Sequence, residues 1–318
     1  ILKKSPLTRI KFFDILINVE SYQIFCIQLK KTNNNEDLKN LIEASFNIIK
    51  IEEERKAFFT GYIELELRGR LEPSFSEAPD AIPIYKKPNS LITIDLGFFK
   101  ESLKNKKITG IIESGKFIPA PTREKIEKKE LFKNNILAYI DDPARAYFLH
   151  IQGSGTIELP NGESMAIGYD GDNGHDYFSI GRSLIRKEII SKENISMQSI
   201  TKWMQENEEK AVSLRHKNKR FIFFKERKKG GPVGASGVTV TPMHSAAVDN
   251  NFLIYHLPLW VNVKNFFTDR PSQSYSNLFI AQDTGSAIKG ATRIDLFLGK
   301  GKKAEKLAGS LNSNGTLW

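Results

Sequence analysis

The sequence predicts a mainly β protein with some α-helix, and three observations carry that prediction. Beyond residue 220, five strand-like stretches follow one another (RFIFFKE, GVTVTP, NFLIYHLPLWVNV, SNLFIAQD and RIDLFLG), punctuated by Gly230-Gly231-Pro232, Gly234, Gly237 and Pro242. Short strands cut by turn residues read as a barrel or a sandwich. GYIELELRGRLEP (61–73) alternates apolar and polar positions and stops at Pro73, as a half-buried strand does. Around Pro160-Asn161-Gly162, the stretches AYFLHIQGSGTIEL and ESMAIGYDG predict a hairpin, because Asn-Gly adopts the positive backbone angles of a tight turn.

The helical part is shorter. In DLKNLIEASFNIIKIEEE, Leu38, Leu41, Ile42 and Phe46 fall at helical spacing, with Asp37 near the start. Ile180, Leu184, Ile185 and Ile189 recur at intervals of three and four, and so do Met197, Ile200, Trp203 and Met204. These are two core-facing helices, and the Met and Trp stripe reads as packing. Two proline-marked stretches, EAPDAIPIYKKPNS and PAPTRE, follow the strand of residues 61–73. Lysines accumulate from Lys100 to Lys133 and predict a solvated basic face.

Composition bounds the function. A chain of 318 residues with 40% hydrophobic and 26% charged residues forms a globular protein of about two domains. Its net charge of +10 fixes only the sign of a partner: nucleic acid, membrane surface or acidic cell-wall polymer. RNA-module aromatic motifs are absent, so charge alone does not make a nucleic-acid binder. The apolar run FFDILINVESYQIFCIQL is broken by Asp14, Glu20, Ser21 and Gln23 and cannot span a bilayer. The single cysteine, Cys26, excludes an internal disulfide and reads as a buried structural thiol. Its five histidines are scattered, so no metal site is expected, and without a GxGxxG or GxxxxGK[ST] motif no cofactor is either.

Two constellations carry chemistry. One is Gln152-Gly153-Ser154-Gly155 with Asp170-Gly171-Asp172-Asn173-Gly174-His175. These polar, glycine-rich loops suit sugar hydroxyls or are turn chemistry alone. Gly153-Ser154-Gly155 lacks the frame of a nucleophile elbow. The other is an aspartate pair, Asp283 at the end of one apolar run and Asp295 between Ile294 and Leu296-Phe297. A carboxyl in a dry setting is held protonated into the range where it can serve as a general acid. The alternative is that Asp295 caps a turn or pairs with Lys289 or Arg293.

Four motifs occur in register: DDPARAYFLHIQGSGTIELPNGESMAIGYDGDNGHDYFSIGRSLI, ISMQSITKW, GPVGASGVTVTPMHSAAVD and IAQDTGSAIKGATRIDLFLG. From about Thr60 to Trp318 the chain resembles the membrane-bound lytic murein transglycosylase A family. That resemblance implies a double-psi β-barrel built from both chain ends (1–80 and 225–318). A second β-rich domain (81–224) is inserted between them, with a deep groove holding the glycan.

It implies an enzyme that cleaves the β-1,4 bond between N-acetylmuramic acid and N-acetylglucosamine without water, leaving 1,6-anhydromuramoyl ends. The expected partners are peptidoglycan strands and other cell-wall enzymes, and the expected location is the periplasm, in association with the outer membrane. Asp295 takes the place of the acid/base, with Asp283 as a second aspartate and Asp249 as a third. Thr60, Tyr62, Glu64, Gln152, Gly153, Ser154, Gly155, Asn173, Gly174, His175 and Lys289 are the expected substrate contacts. Gly61-Tyr62-Ile63-Glu64-Leu65 departs from the family's Gly-Tyr-Tyr-Glu-Pro, which puts stacking at that wall in doubt. Cys26 lacks the small residues that precede a lipid-modified cysteine, so the sequence given lends no support to a lipid anchor. The competing readings are a non-catalytic wall-binding protein and a hydrolytic muramidase.

Overall fold

The computed structural model describes residues 9–12, 15–32, 34–46, 56–73, 78, 80–104, 106–228, 230–267 and 273–318. The chain opens with an antiparallel pair, β1 (Arg9–Phe12) and β2 (Ile15–Asn18), then helices α1 (Val19–Leu29) and α2 (Asn35–Ser45). Strands β3 (Ala57–Arg70), β4 (Ile82–Tyr85), β5 (Ile92–Asp95), β6 (Lys107–Glu113) and β7 (Lys116–Pro119) follow. Next come α3 (Arg123–Lys129), β8 (Ile136–Ile140), α4 (Pro143–Gln152), β9 (Ser154–Glu158) and β10 (Ser164–Asp172). Helices α5 (Ile180–Arg186), α6 (Met197–Glu206) and α7 (Glu208–Lys217) lead to β11 (Ile222–Glu226). The chain ends with β12 (Ser245–Ala247), β13 (Pro258–Val263), β14 (Tyr275–Asp283), β15 (Arg293–Lys300), α8 (Lys302–Ser310) and β16 (Asn312–Leu317). Among the described residues, no helix is long and apolar enough to cross a membrane.

These elements form two compact units, one of residues 1–60, 234–297 and 311–318, the other of 61–233 and 298–310. In the first, six strands close a ring in the order β3-β15-β12-β14-β13-β16 and back to β3. This is the closed barrel that the resemblance implies. Closure satisfies every strand edge, and the interior is filled by fully buried Phe59, Val261, Phe279, Ala281, Ile294 and Leu296. In the second unit, β9 runs parallel to β3 through Leu65–Arg68, β10 returns from it as a hairpin, and β11 pairs with β10. Its core includes Tyr85, Leu91, Ala120, Ile126, Phe221 and Phe223. Between these units the chain passes at Thr60 and Gly61, within β3, whose first residues pair with β16 and whose later ones pair with β9.

Several sequence expectations need correction. AYFLHIQ is the helix α4, not a strand. Asp142 caps it, its side chain accepting from the N–H groups of Ala144 (2.8 Å) and Arg145 (3.2 Å); Pro143 fills the first turn. Gly153 ends it at φ 81°, a left-handed conformation that glycine adopts without strain. Only the second half of the apolar run, beyond that glycine, is strand. GVTVTP is a turn with an isolated bridge, tied by Gly234 N–H to Val238 O at 2.9 Å. Within NFLIYHLPLWVNV only Pro258–Val263 is strand. Helix α2 lies where the spacing of Leu41 and Ile42 predicts, while residues 47–54 of that stretch lie outside the described residues. Ile189 falls beyond α5 and is exposed, and Cys26 is half-buried, not buried.

Candidate active site

Asp295 occupies β15, where side chains alternate between the two faces of the strand. Ile294 and Leu296 point into the barrel and are fully buried, so they do not surround the carboxyl as their adjacency in sequence suggests. The opposite face carries Arg293 and Asp295, and β3 contributes Thr60 to it. Thr60 donates its hydroxyl proton to Asp295 Oδ1. Arg293 Nη2 in turn donates to Thr60 Oγ1 at 2.8 Å, while its guanidinium lies 4.9 Å over the Phe58 ring and Nη1 bonds Ile294 O at 2.9 Å.

A guanidinium has donors only, so the Arg293 contact fixes the direction of the chain. Thr60 accepts from arginine and donates to Oδ1, which leaves Oδ2 to carry a transferable proton. Burial pushes the Asp295 carboxyl above its ordinary range; Arg293 and the Thr60 hydrogen bond pull it down, and the charge of Asp283 adds to the rise. A carboxyl whose proton is held more tightly than usual has the direction of shift expected of a proton donor.

The two aspartates share a register row. Ala247 of β12 stands opposite Asp295 on one side and Asp283 on the other. Two strand spacings, about 9.5 Å, therefore separate their backbones. The intervening Ser-Ala-Ala strand was missed in the sequence, its small residues having low strand propensity. Asp283 Oδ1 accepts from the backbone N–H of Ala235 (2.9 Å) and Thr284 (2.8 Å). Asp249 is buried, its carboxyl oxygens accepting from Gly290 N (2.9 Å), Asn251 N (3.1 Å) and Asn251 Nδ2 (2.9 Å). Burial raises its pKa, but these bonds and the charge of Lys289 outweigh that and hold it below the usual range. Both aspartates thus pin the 284–290 loop between β14 and β15, on which Lys289 is exposed.

The remaining expected contacts lie in the second unit, and for several the structure assigns other work. Glu64 is buried in an ion pair with Arg227 and accepts from Thr156 Oγ1 at 3.4 Å. Ser154 and Gly155 are buried inside β9. Asn173 is 1% exposed; its amide donates to Pro121 O (2.8 Å) and Lys219 O (2.9 Å), and its oxygen accepts from Phe221 N (2.8 Å). All four are sealed in the fold; Glu64 and Asn173 have their side chains engaged by partners within the protein. Gln152 Oε1 accepts from Ile63 N at 2.9 Å and His175 Nε2 bonds Ala120 O at 2.7 Å, both half-buried. Gly174 has φ 73°, and a Cβ there would lie 2.8 Å from Thr109 Cβ. Gly153 ends α4, and Tyr62 is half-buried two residues beyond Thr60 on β3. The sequence offered Arg293 only as a direct ion-pair partner of Asp295, whereas it bonds the Thr60 hydroxyl that in turn bonds the carboxyl. The signal available was the matching alternation of Phe58-Phe59-Thr60 and Arg293-Ile294-Asp295, which sets each pair on one face of its strand.

Removing the Thr60 hydroxyl tests the chain of bonds. The bond favours the ionised carboxyl, so Thr60→Val is expected to move the alkaline limb of the activity profile to higher pH. A maximal rate lower by about tenfold should accompany it, the value of one hydrogen bond to a charged group. A pH–rate profile superimposable on the wild type's would show that Thr60 does not act on Asp295.

Comparison with known proteins bears on the same residues. Residues 58–225 match the family described as MltA specific insert domain, and residues 244–318 match the 3D domain family. A membrane-bound lytic murein transglycosylase A homolog of Buchnera aphidicola is 34% identical over 242 residues, 74% of this chain and 59% of the relative. The chain thus spans about three-fifths of that relative's length. Among solved structures, a membrane-bound lytic murein transglycosylase from Agrobacterium tumefaciens superposes with a TM-score of 0.84 at 24% identity, covering 97% of this chain and 86% of that one. Escherichia coli MltA with bound chitohexaose gives 0.71 at 24% identity, covering 99% and 93%. These two likenesses concern the fold. The insert-domain match takes in more than half of the chain, the 3D match follows it, and the chain belongs to the membrane-bound lytic murein transglycosylase A family.

Proposed function

We propose that this protein is a lytic transglycosylase of peptidoglycan, with Asp295 acting first as general acid and then as general base. The observation that carries the reading is the half-buried Asp295 carboxyl, raised in pKa by burial and bonded at Oδ1 by Thr60. The proton on Oδ2 passes to the oxygen linking C1 of N-acetylmuramic acid to N-acetylglucosamine. The C1–O bond breaks, its electron pair leaving with the N-acetylglucosamine O4. The carboxylate so formed is stabilised by the Thr60 hydrogen bond and the Arg293 charge. It then takes the proton of the muramoyl 6-hydroxyl as that oxygen bonds to C1. The attacking group is tethered to the same ring, which replaces a bimolecular step by an effectively unimolecular one. No water is consumed, and Asp295 ends protonated as it began.

A hydrolase needs a second carboxyl to activate water or to form a covalent intermediate. Asp283 is the nearest candidate, but its Oδ1 is held by two backbone N–H groups, which favours a supporting role. The Buchnera relative is by name a membrane-bound murein enzyme and the E. coli neighbour binds chitohexaose, in keeping with a glycan substrate and a place in the cell envelope. Digestion of sacculi in ¹⁸O-water tests the reaction. Mass spectrometry is expected to find 1,6-anhydromuramoyl ends without solvent oxygen; labelled reducing ends would mean hydrolysis.

A further inference from the structure

Strands β5, β6 and β7 form a separate three-stranded sheet in the second unit, and its polarity is inverted. Register assigns the faces. Ile92 stands opposite Gly110, Ile94 opposite Ile108 and Ile112 opposite Phe117. The other face carries Thr93 and Thr109, bonded to each other at 3.2 Å, and Ile111, which packs on the Tyr85–Phe221 core. Gly174 approaches Thr109 on that side, where Thr109 and Ile111 are half-buried. The isoleucines of the first face therefore point outward, with Ile92, Ile108 and Ile112 38%, 43% and 59% exposed. At the end of β5 the chain turns through Phe98 and Phe99, 91% and 77% exposed. Lys100, Lys104, Lys106 and Lys107 flank this tip and are all exposed, against two acidic neighbours, Asp95 and Glu101.

We propose that the Phe98–Phe99 tip and the outward isoleucine face dock on an anionic phospholipid bilayer. Two adjacent aromatic rings projecting into solvent, ringed by lysines, match an interface where apolar groups enter the acyl boundary and ammonium groups meet lipid phosphates. A second copy of the chain is disfavoured, because its own lysine rim would face this one. A glycan is disfavoured because the tip projects outward and offers no cup of polar groups for hydroxyls. The proposal is independent of the reaction at Asp295.

Co-sedimentation with phosphatidylglycerol vesicles tests it, phosphatidylcholine vesicles serving as the neutral control. The wild type is expected to bind the former, more weakly at high salt, and to bind the latter poorly. Phe98→Ser with Phe99→Ser, and separately K100E with K104E, K106E and K107E, should each lower binding to phosphatidylglycerol at least about tenfold. Turnover of a soluble glycan should stay unchanged in both. Wild-type vesicle binding by the Phe variant would overturn the proposal. So would loss of glycan turnover in that variant, which would make the face a sugar surface, or its conversion of a wild-type dimer to monomers. Phe98→Trp gives a second readout that needs no loss of function: its added emission should shift to the blue with phosphatidylglycerol vesicles, and an unshifted spectrum contradicts docking.

Discussion

Asp295→Asn is expected to lower turnover of sacculi by at least about a hundredfold while the protein folds and binds glycan as before. The amide keeps the shape of the carboxyl and can still accept from Thr60, but it cannot deliver a proton at a useful rate, and positioned proton transfer accounts for factors of about 10²–10⁴. Stability should move the other way. Burial favours the protonated carboxyl in the native state, so the folded chain holds this proton more tightly than the unfolded one. The contribution of Asp295 to stability therefore falls as pH rises from the ordinary carboxyl range through the raised folded value. Asparagine has no charge to desolvate. At neutral pH the variant is expected to match or exceed the wild type's Tm, a gain in stability where function is lost. The pair of measurements is decisive: a folded variant with near-native turnover would remove Asp295 from the chemistry.

Arg227→Ala is expected to cost about 3–5 kcal/mol of stability, the toll of leaving a buried charge without its partner. Both side chains of the Glu64–Arg227 pair are less than one-tenth exposed. Arg227 also donates to the carbonyls of Ile167 (3.0 Å), Gly230 (3.1 Å) and Gly231 (2.5 Å), so one side chain ties β10 and the 230–231 turn to β3. Denaturant titration should show the loss in full, and the midpoint of thermal unfolding should fall by roughly 6 °C or more. Replacing both partners by apolar residues should recover part of it, because no charge is then stranded, while the three carbonyls stay unpaired. A loss below about 1 kcal/mol would mean the pair is hydrated in solution. In that case Glu64 becomes available to substrate, as its place beside Tyr62 in the sequence suggests.

How far the sequence reached is clearest at particular residues. Asp295 was legible as an anomaly, a carboxylate in an apolar run, and the four motifs named its family. The reason for its raised pKa was not. Neighbours in a strand lie on opposite faces, so Ile294 and Leu296 fill the barrel while the half-buried carboxyl lies on the other face, with Thr60 for company. Helices α2, α5 and α6 follow from apolar spacing, the strand β3 from alternation, and β14 and β15 from short apolar runs between turn residues. The α4 boundary was written in Asp142-Pro143 and Gly153, but a continuous run of apolar residues hid the change of period there.

What the sequence alone determined is the set of local preferences and the chemistry each side chain can offer: strand-rich halves, a basic surface, an acid in an apolar setting. Only the tertiary structure decided which of those groups meet. Thr60 and Asp295 are 235 positions apart, and a three-residue strand of Ser and Ala, too small to announce itself, sets Asp283 and Asp295 on one row. The same holds for Asn173 and Glu64, polar residues in loop-like or exposed-looking stretches that the fold closes over. Hydrogen-bond partners distant in the chain leave no local trace in composition or period, because strand pairing is fixed by the closure of the whole barrel and not by any one segment of it.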